Sequence, residues 1–373
     1  MRYNLAENPS RFQAARAIAA RAGNAPDRTR VVMPSDLTSR RAAPDGDSFE
    51  RLAEPLRREL RVHCYRMLGS LHDAEDATQE SFIRAWRGFS RFDGRGSFRG
   101  WLYRIATNVC LDALAGRRKA RRLLPDQRQG ASARVPPLAE IQPAMGDVAW
   151  LEPCPESFID YIADDAPNPE ARFSARESVQ LAFIALIQHL PPRQRAMLLL
   201  SDVLGWSAAE IAALLDCSIA AVNSGLQRAR ATFAAGDRGV PATALEPSQR
   251  TLLRRYIAAW EGFDLEGFVA LLREDARLVM PPFPEWYIGR AAIGAFHRNV
   301  WAPFSGFRLV ETTANGQPAL ALYGRRGAAD AWAGHSLHVL TLAGEQIAAI
   351  TLFAPPLGPS LFEPFGLPAN PAG

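Results

Sequence analysis

Helical periodicity runs from about Ser48 to Arg122 and again from Glu170 to Ala235. After Gln249 it gives way to one helix followed by alternating strands. With Ser97 as N-cap, Leu102, Ile105, Ala106, Val109, Cys110 and Ala113 recur at helical spacing and predict a complete core stripe. Trp101, Arg104, Asn108 and Asp112 then fall on a neighbouring face that a core does not need. Upstream, Ala74, Ala77, Ser81, Phe82 and Ala85 predict the core side of another helix, with Asp76, Gln79, Glu80, Ile83 and Arg87 on its far side. Ala208 to Leu215 predicts a short helix, Asp216 to Ser218 a turn, and Val222 and Leu226 the inward side of a following helix. That is the pattern of a helix-turn-helix, with Ala212 small where the helices cross. Further on, Leu253, Tyr256, Ile257 and Trp260 mark an amphipathic helix. "FRLVETTANGQPALALYGR" and "SLHVLTLAGEQIAAITLF" read as antiparallel strands around NG and AGE turns.

These patterns divide the chain into 1–48, expected to be disordered; 49–122, helical; 123–169, a linker; 170–236, helical; 237–248, a second linker; 249–354, α+β; and 355–373, a loose Pro-rich tail. Met1 and Met33 both stand as translation starts. Trp150, Leu151 and Phe158 are costly to leave in water, so the first linker is expected to be ordered in part by a partner. Its acids, Glu152, Glu156, Asp160, Asp164, Asp165 and Glu170, suit a solvated segment, with mimicry of phosphate as the alternative.

The apolar content of 48% is ordinary for a globular protein, and no apolar run approaches membrane-spanning length. The first residues lack the apolar core of a secretory signal, so the expected location is cytoplasmic. Cys64, Cys110, Cys154 and Cys217 are scattered and predict reduced thiols; no metal or cofactor is expected. Net charge is only +4, but it is uneven. Between Arg84 and Arg122 a block of arginines and Lys119 faces Asp93 and Asp112 alone, the footprint of a polyanion binder. On the helix after Ser97 the Trp101 ring can stack on an unpaired base, Arg104 can hold phosphate, and the Asn108 amide can read a base edge. Packing of Trp101 on the previous helix is the competing use of the same residues.

The order of residues carries a further signal. "CYRMLGSLHDAEDATQESFIRAW" and "FRGWLYRIATNVCLDALAGRRKARR" resemble region 2 of the extracytoplasmic-function group of bacterial sigma factors, in the sigma-70 family. "LPPRQRAMLLLSDVLGWSAAEIAALLDCSIAAVNSGLQRARATF" resembles region 4. The resemblance implies two all-α domains, no catalytic residue in either, and a polymerase subunit that reads −10 and −35 promoter elements and melts DNA. Asp76, Gln79, Glu80, Ile83 and Trp86 would meet core polymerase, whose clamp and flap belong to the β′ and β subunits. Arg91, Phe92, Arg95, Arg99, Trp101, Arg104, Asn108, Arg117, Arg118 and Lys119 would serve the −10 element. Ser218, Ala220, Ala221, Asn223, Ser224, Gln227, Arg228 and Arg230 would serve the −35 element. Asp216 where such turns favour Gly, and Gly225 inside the second helix, predict weak −35 affinity that depends on tethering.

The last domain resembles SnoaL-like members of the cone-shaped α+β fold shared with nuclear transport factor 2. That implies an apolar cavity, with Trp260, Met280, Trp286, Tyr287, Phe296, His297 and Phe353 as its expected lining and a small apolar ligand as its occupant. His335, His338 and Asp275 are available for proton transfer, but sequence brings no two of them together. The order of domains is that of the SigG-like subgroup, whose fused C-terminal domain implies regulation in cis. A ligand-sensing helix-turn-helix regulator that never binds polymerase, and a SnoaL-type enzyme, remain as the other readings.

Overall fold

The computed structural model describes residues 46–371, apart from 93, 95, 117–120, 138–139, 142–143, 146–147, 160–177, 235–244 and 328–329. Arg95, Arg117, Arg118, Lys119, Asp160, Asp164, Asp165 and Glu170 therefore lie outside the described residues, as does most of the 1–48 segment.

The first helical block comprises α1 (Gly46–Ala53), α2 (Arg57–Leu68), α3 (Leu71–Gly88) and α4 (Phe98–Gly116). Gly69 ends α2 at φ 70°, where a side chain would be strained, and Ser70 caps α3 by accepting the Asp73 amide at 3.3 Å. Ala74, Ala77, Ser81, Phe82 and Ala85 are buried, as their spacing predicts. On α4, Leu102, Ala106, Val109 and Cys110 are buried, but Ile105 and Ala113 are only half-buried. Tyr103 and Thr107 are buried as well, because α4 is packed from a second direction. The Thr107 hydroxyl meets His63 Nε2 at 3.0 Å, and the Tyr103 ring lies 5.7 Å from Trp206 of the second block.

That second block holds α5 (Leu181–Gln188), α6 (Pro192–Leu198), a π-helical turn (Leu199–Val203), α7 (Ala208–Leu215) and α8 (Ile219–Ala234). Arg195 of α6 joins the two blocks. Its buried guanidinium donates to the carbonyls of Ile187 and Gln188 at 2.9 Å each, and to that of Met67 at the end of α2. The stretch read as a linker is folded into this junction. Leu123 and Trp150 form a parallel bridge, Leu151, Cys154, Phe158 and Ile159 are buried, and Glu152 accepts from Arg122 and from the Leu71 amide. Glu152 is thus spent inside the protein. The cover for these apolar residues comes from within the chain: Phe158 packs on Tyr65 and Arg61, while Cys154 and Pro155 meet Asn315 and Ala314 of the C-terminal domain.

The C-terminal domain packs α9 (Pro247–Glu261), α10 (Leu265–Ala270) and α11 (Arg290–Trp301) on a six-stranded sheet of order β2-β1-β6-β5-β4-β3. The strands are β1 (Leu272–Val279), β2 (Trp286–Ile288), β3 (Gly306–Ala314), β4 (Gln317–Arg325), β5 (Ala333–Ala343) and β6 (Gln346–Phe353); only β1 and β6 pair in parallel. Leu320, Leu322, Leu340, Ile350 and Leu352 face the helices of this domain. Ala319, Ala321, Tyr323, Val339 and Phe353 face the other way, into one continuous core with the helical blocks. Both sheet faces are covered, so β4 is buried along nearly its whole length. The C-terminal stretch is not a loose tail. It turns through α12 (Leu357–Ser360), buries Leu361 and Phe362, and receives hydrogen bonds from the Tyr323 hydroxyl (to Pro368 O, 2.8 Å) and the Gly334 amide (to Ala369 O, 3.1 Å). An apolar outer sheet face that needs cover is the reason. Among the described residues, no single helix is long and apolar enough to cross a membrane.

Candidate nucleic-acid interface

Position on α4 decides which side chains are free. Arg104 and Asn108 are exposed beside Trp101, which is half-buried. The Trp101 ring sits 5.2 Å from Phe92 and 5.5 Å from Phe98, so it is both braced by neighbours and open on one side. A preset aromatic plane of this kind loses little freedom when a base stacks on it. Arg91 is exposed at the edge of the same surface. Arg99 is held elsewhere. It forms a fork with Glu59, Nε to Oε1 and Nη2 to Oε2 both at 2.9 Å, and lies over the Tyr103 ring; the Glu59 bonds hold its pKa above the usual value. The site for Arg99 is therefore an internal brace. Asp112 of the same helix face is taken by Arg84 at 3.0 Å.

A second surface lies along α3 and α1. Asp76 and Gln79 are exposed, Glu80 pairs with Arg84 at 2.7 Å, and Ile83 and Trp86 remain 38% and 44% exposed. The Phe49 ring of α1 props Trp86 from 5.4 Å. An apolar centre ringed by Asp76, Gln79 and Glu80 has the anatomy of a protein-docking patch.

The helix-turn-helix forms as its spacing predicts. Ser207 and Glu210 make a reciprocal capping box on α7, Asp216 takes the left-handed conformation (φ 50°), and Ser218 Oγ accepts the Ala221 amide at 3.1 Å to cap α8. Ser218, Ala220, Ala221, Asn223, Ser224, Gln227 and Arg228 are exposed, together with Ile219. Arg230 points back instead, with Nε 3.1 Å from Asp202 Oδ2, and braces α8 on the π-helical turn. Gly225 sits against α6: a Cβ there would come within 2.4 Å of Met197 Sδ, so the Met side chain would have to shift. Its cost in helix propensity is offset by the close approach of α6 and α8.

The α4 surface also borders the second block. Arg91, Phe92, Trp101 and Arg104 line one wall of a cleft whose other wall is Trp206, Glu210, Ala213 and Leu214 of the second block. The Glu210 carboxyl is held below its usual pKa by Ser207, so an anion faces the arginines. A turn of the C-terminal domain also bridges the two blocks. Asn315 and Gly316, both at positive φ, join β3 to β4 in a two-residue turn that a side chain other than Asn or Gly adopts at a cost. Asn315 is fully buried. Its Nδ2 donates to the Tyr65 hydroxyl (2.9 Å) and to Val179 O (2.7 Å), and its Oδ1 accepts the Cys154 amide (2.9 Å). Next to it, Gln317 Oε1 accepts the Leu181 amide at 3.1 Å. One hairpin thus touches the first block, the connecting stretch and the second block. Sequence reading assigned the NG pair to the turn and missed this contact; the signal present was Ala319, Ala321 and Tyr323 on a strand face that would be polar in water.

Behind the sheet lies a cavity of about 360 Å³. Trp260, Met280 and Phe296 line it, as expected, with Trp301, Phe304 and Phe307. Trp286, Tyr287, His297 and Phe353 do not. Trp286 is buried against the connecting stretch, donating to Gln129 O at 2.8 Å, and Tyr287 packs behind Phe296 at 5.1 Å. His297 is bonded to Ile293 O at 2.8 Å, with burial pushing its pKa down to about 4. Phe353 lies one residue out of phase with Ile350 and Leu352, so the strand's alternation sends it to the opposite face. His335 and His338 are joined through Ser336: Ser336 Oγ is 2.9 Å from His338 Nε2 and 3.3 Å from His335 Nδ1. His338 Nδ1 in turn meets the Tyr256 hydroxyl at 2.9 Å. Asp275 is exposed on β1 and held by Arg273, away from this group.

Three family models match the chain: Sigma-70 region 2 over residues 52–122, Sigma-70 region 4 over 180–233, and a SnoaL-like domain over 253–350. The chain is 45% identical over 328 residues to an ECF RNA polymerase sigma factor, SigG, of Mycobacterium tuberculosis, covering 86% of this chain and 84% of that one. It is 34% identical over 168 residues to the ECF sigma factor SigE of Mycolicibacterium smegmatis, covering 45% of this chain and 52% of the relative. Among solved structures, the extracytoplasmic function sigma factor SigJ of Mycobacterium tuberculosis aligns with a TM-score of 0.53 at 21% identity, over 87% of this chain and all of that one, which is a likeness of fold.

Proposed function

The chain belongs to the extracytoplasmic-function sigma factors of RNA polymerase, and on that premise we propose how its surfaces divide the work and how its C-terminal domain restrains them. A sigma factor binds core polymerase, recognises the −10 and −35 elements and promotes melting for initiation. The α3 face, with Asp76, Gln79, Ile83 and Trp86, docks on the β′ clamp, and the second block docks on the β flap. Trp101, Arg104 and Asn108, with Arg91 at their edge, take the −10 strand. Flipping a base costs a few kcal/mol, and stacking on Trp101 returns about 1–3 kcal/mol of that. The early residues of α8 enter the −35 major groove, where few charges predict modest affinity. The stretch outside the described residues that holds Arg117, Arg118 and Lys119 supplies further phosphate contacts.

The observation that carries the restraint is the buried Asn315 turn, bonded at once to Tyr65, Cys154 and Val179. While it is seated, Trp206 and Glu210 form the facing wall of the cleft that holds Trp101 and Arg104, which narrows the room for a DNA strand. Promoter elements lie far apart on the duplex, so reading both requires the blocks to separate. The C-terminal domain acts here as a regulator in cis, with a small molecule in its largely apolar cavity as the natural effector.

Deleting that domain would uncover the buried groups that meet it, Cys154, Val179 and Leu181 among them, so the test uses the full chain. In run-off transcription with bacterial core polymerase on the promoter of its own gene, wild type yields a transcript that core alone does not. Asn315→Gly keeps the turn's backbone, removes the buried amide, and yields several-fold more. Equal transcript from both proteins at equal polymerase occupancy defeats the restraint. Silence with no pull-down of core polymerase defeats the assignment of the docking face. A helix-turn-helix regulator independent of polymerase has no use for the α3 and α4 faces and is set aside.

A further inference from the structure

The C-terminal cavity is apolar with one polar corner. Arg326 follows β4, and His335 and Ser336 lie near the start of β5; all three line this corner. The corner exists because of an irregularity in the β4–β5 ladder: Leu322 pairs with Ser336 and Tyr323 with Gly334, which leaves His335 as an extra residue. A bulge of this kind re-aims a side chain. Here it sets His335 on the cavity side with Ser336, against the edge of Phe304 at 5.2 Å. Ser336 is fully buried and its hydroxyl is held by His338, itself fixed by Tyr256, so the corner is built from behind. Among the described residues no carboxylate pairs with Arg326, whose guanidinium lies over the Phe304 ring at 5.6 Å. Burial and Arg326 push the His335 pKa down to about 4, so at neutral pH it brings no second charge.

One lining residue comes from outside the domain. Ile141 belongs to the stretch that connects the two helical blocks. That stretch is tied along the cavity's rim. Gln129 Nε2 donates to Pro284 O (2.7 Å), the Ser132 amide to Trp286 O (2.9 Å), Asn299 Nδ2 to Pro136 O (3.1 Å), and the Met145 amide to Pro282 O (3.0 Å).

We propose that the cavity binds a small amphiphile, an apolar body among Trp260, Phe296 and Trp301 with a carboxylate or similar anionic head at Arg326, His335 and Ser336, and that Ile141 reports its occupancy to the inter-block connection. The proposal rests on the reading of this domain as a regulator and names what it senses. The volume is at the small end of ligand pockets, which run from about 300 to 1,000 Å³. An occupant presses on Ile141 and shifts the same connection that carries Cys154 to the Asn315 turn.

Calorimetric titration of the full chain with 2-naphthoate and with decanoate tests the binding, each paired with its neutral amide. At least one carboxylate is expected to bind at least tenfold more tightly than its amide. Arg326→Gln removes that preference without loss of fold, and Val300→Trp, a half-exposed lining position, blocks both forms. Hydrogen exchange of residues 129–145 is expected to slow several-fold on binding in wild type and to be insensitive in Ile141→Ala. No binding by either carboxylate, equal binding of the amides, or binding undiminished by Val300→Trp overturns the site; binding with unchanged exchange overturns the coupling. None of these readouts uses polymerase, so their failure is distinct from failure of the restraint at Asn315.

Discussion

Gly225 and Trp101 show how one side chain can matter for opposite reasons. Ala at 225 would gain about 1 kcal/mol in helix propensity, yet its Cβ meets Met197 Sδ at 2.4 Å in a packed core. Overpacking costs about 1–3 kcal/mol, so Gly225→Ala is expected to lower stability overall, read as a lower midpoint in urea with unchanged m. A rise in the midpoint would mean that Met197 moves aside freely. Trp101→Ala removes a stacking plane with value of about 1–3 kcal/mol per base, or roughly 5- to 150-fold. Promoter opening, followed by permanganate reactivity of the −10 strand, should fall by that factor while affinity for core polymerase stays within about threefold. An equal loss of both would remove Trp101 from the melting surface.

At the scale of the element, the β3–β4 hairpin acts through three hydrogen-bond partners at once. The Tyr65 hydroxyl accepts from Asn315 Nδ2 and donates to Glu152 O at 2.7 Å, so it ties the turn to the connecting stretch. Tyr65→Phe keeps the ring and leaves these groups short of one partner, at a cost of about 1–3 kcal/mol. Because Tyr65 and Asn315 share a network, Tyr65→Phe with Asn315→Gly should destabilise by less than the sum of the single changes. Additivity within about 0.5 kcal/mol in a denaturation cycle would show that the two act independently. The same network explains why β4 alternates Ala with Leu where a solvated strand alternates polar with apolar. Small residues let the sheet approach the helical blocks, and large ones fill the cone.

For the whole molecule, the shared core makes acid a common stress. His63 is fully buried, and burial, with Arg66 and Arg99 nearby, pushes its pKa down to about 3; burial alone holds His297 at about 4. Folded-state values below the unfolded 6.5 mean that the unfolded chain takes up protons first as pH falls. Stability is therefore complete above about pH 6.5 and is lost progressively below it. Each such histidine removes up to about 1.4 kcal/mol per pH unit until its folded pKa is reached. Urea midpoints should fall steadily from pH 7 to pH 5, a range above most carboxylate titrations. A flat profile would contradict the burial of these histidines as neutral rings. Since the sheet and helical blocks share one core, loss of the first block's near-ultraviolet signal should coincide with that of the C-terminal tryptophans.

Much of this was legible in the residues alone. Helical spacing located α3, α4, α7 and α8, capping residues marked their starts, and the order of exposed side chains pointed to the sigma-type surfaces. These are properties of a chain with its near neighbours, set by periods of 3.6 and 2 and by local hydrogen bonds. Tertiary structure decided the rest. Arg99 and Arg230 went to Glu59 and Asp202, Phe353 faced away from the cavity, the bulge turned His335 toward it, and the Pro-rich end became a cover for the sheet. Asn315 meets Tyr65 across 250 positions. Periodicity states that a face is buried but not what buries it, and contacts at that separation depend on how whole faces match in shape and polarity.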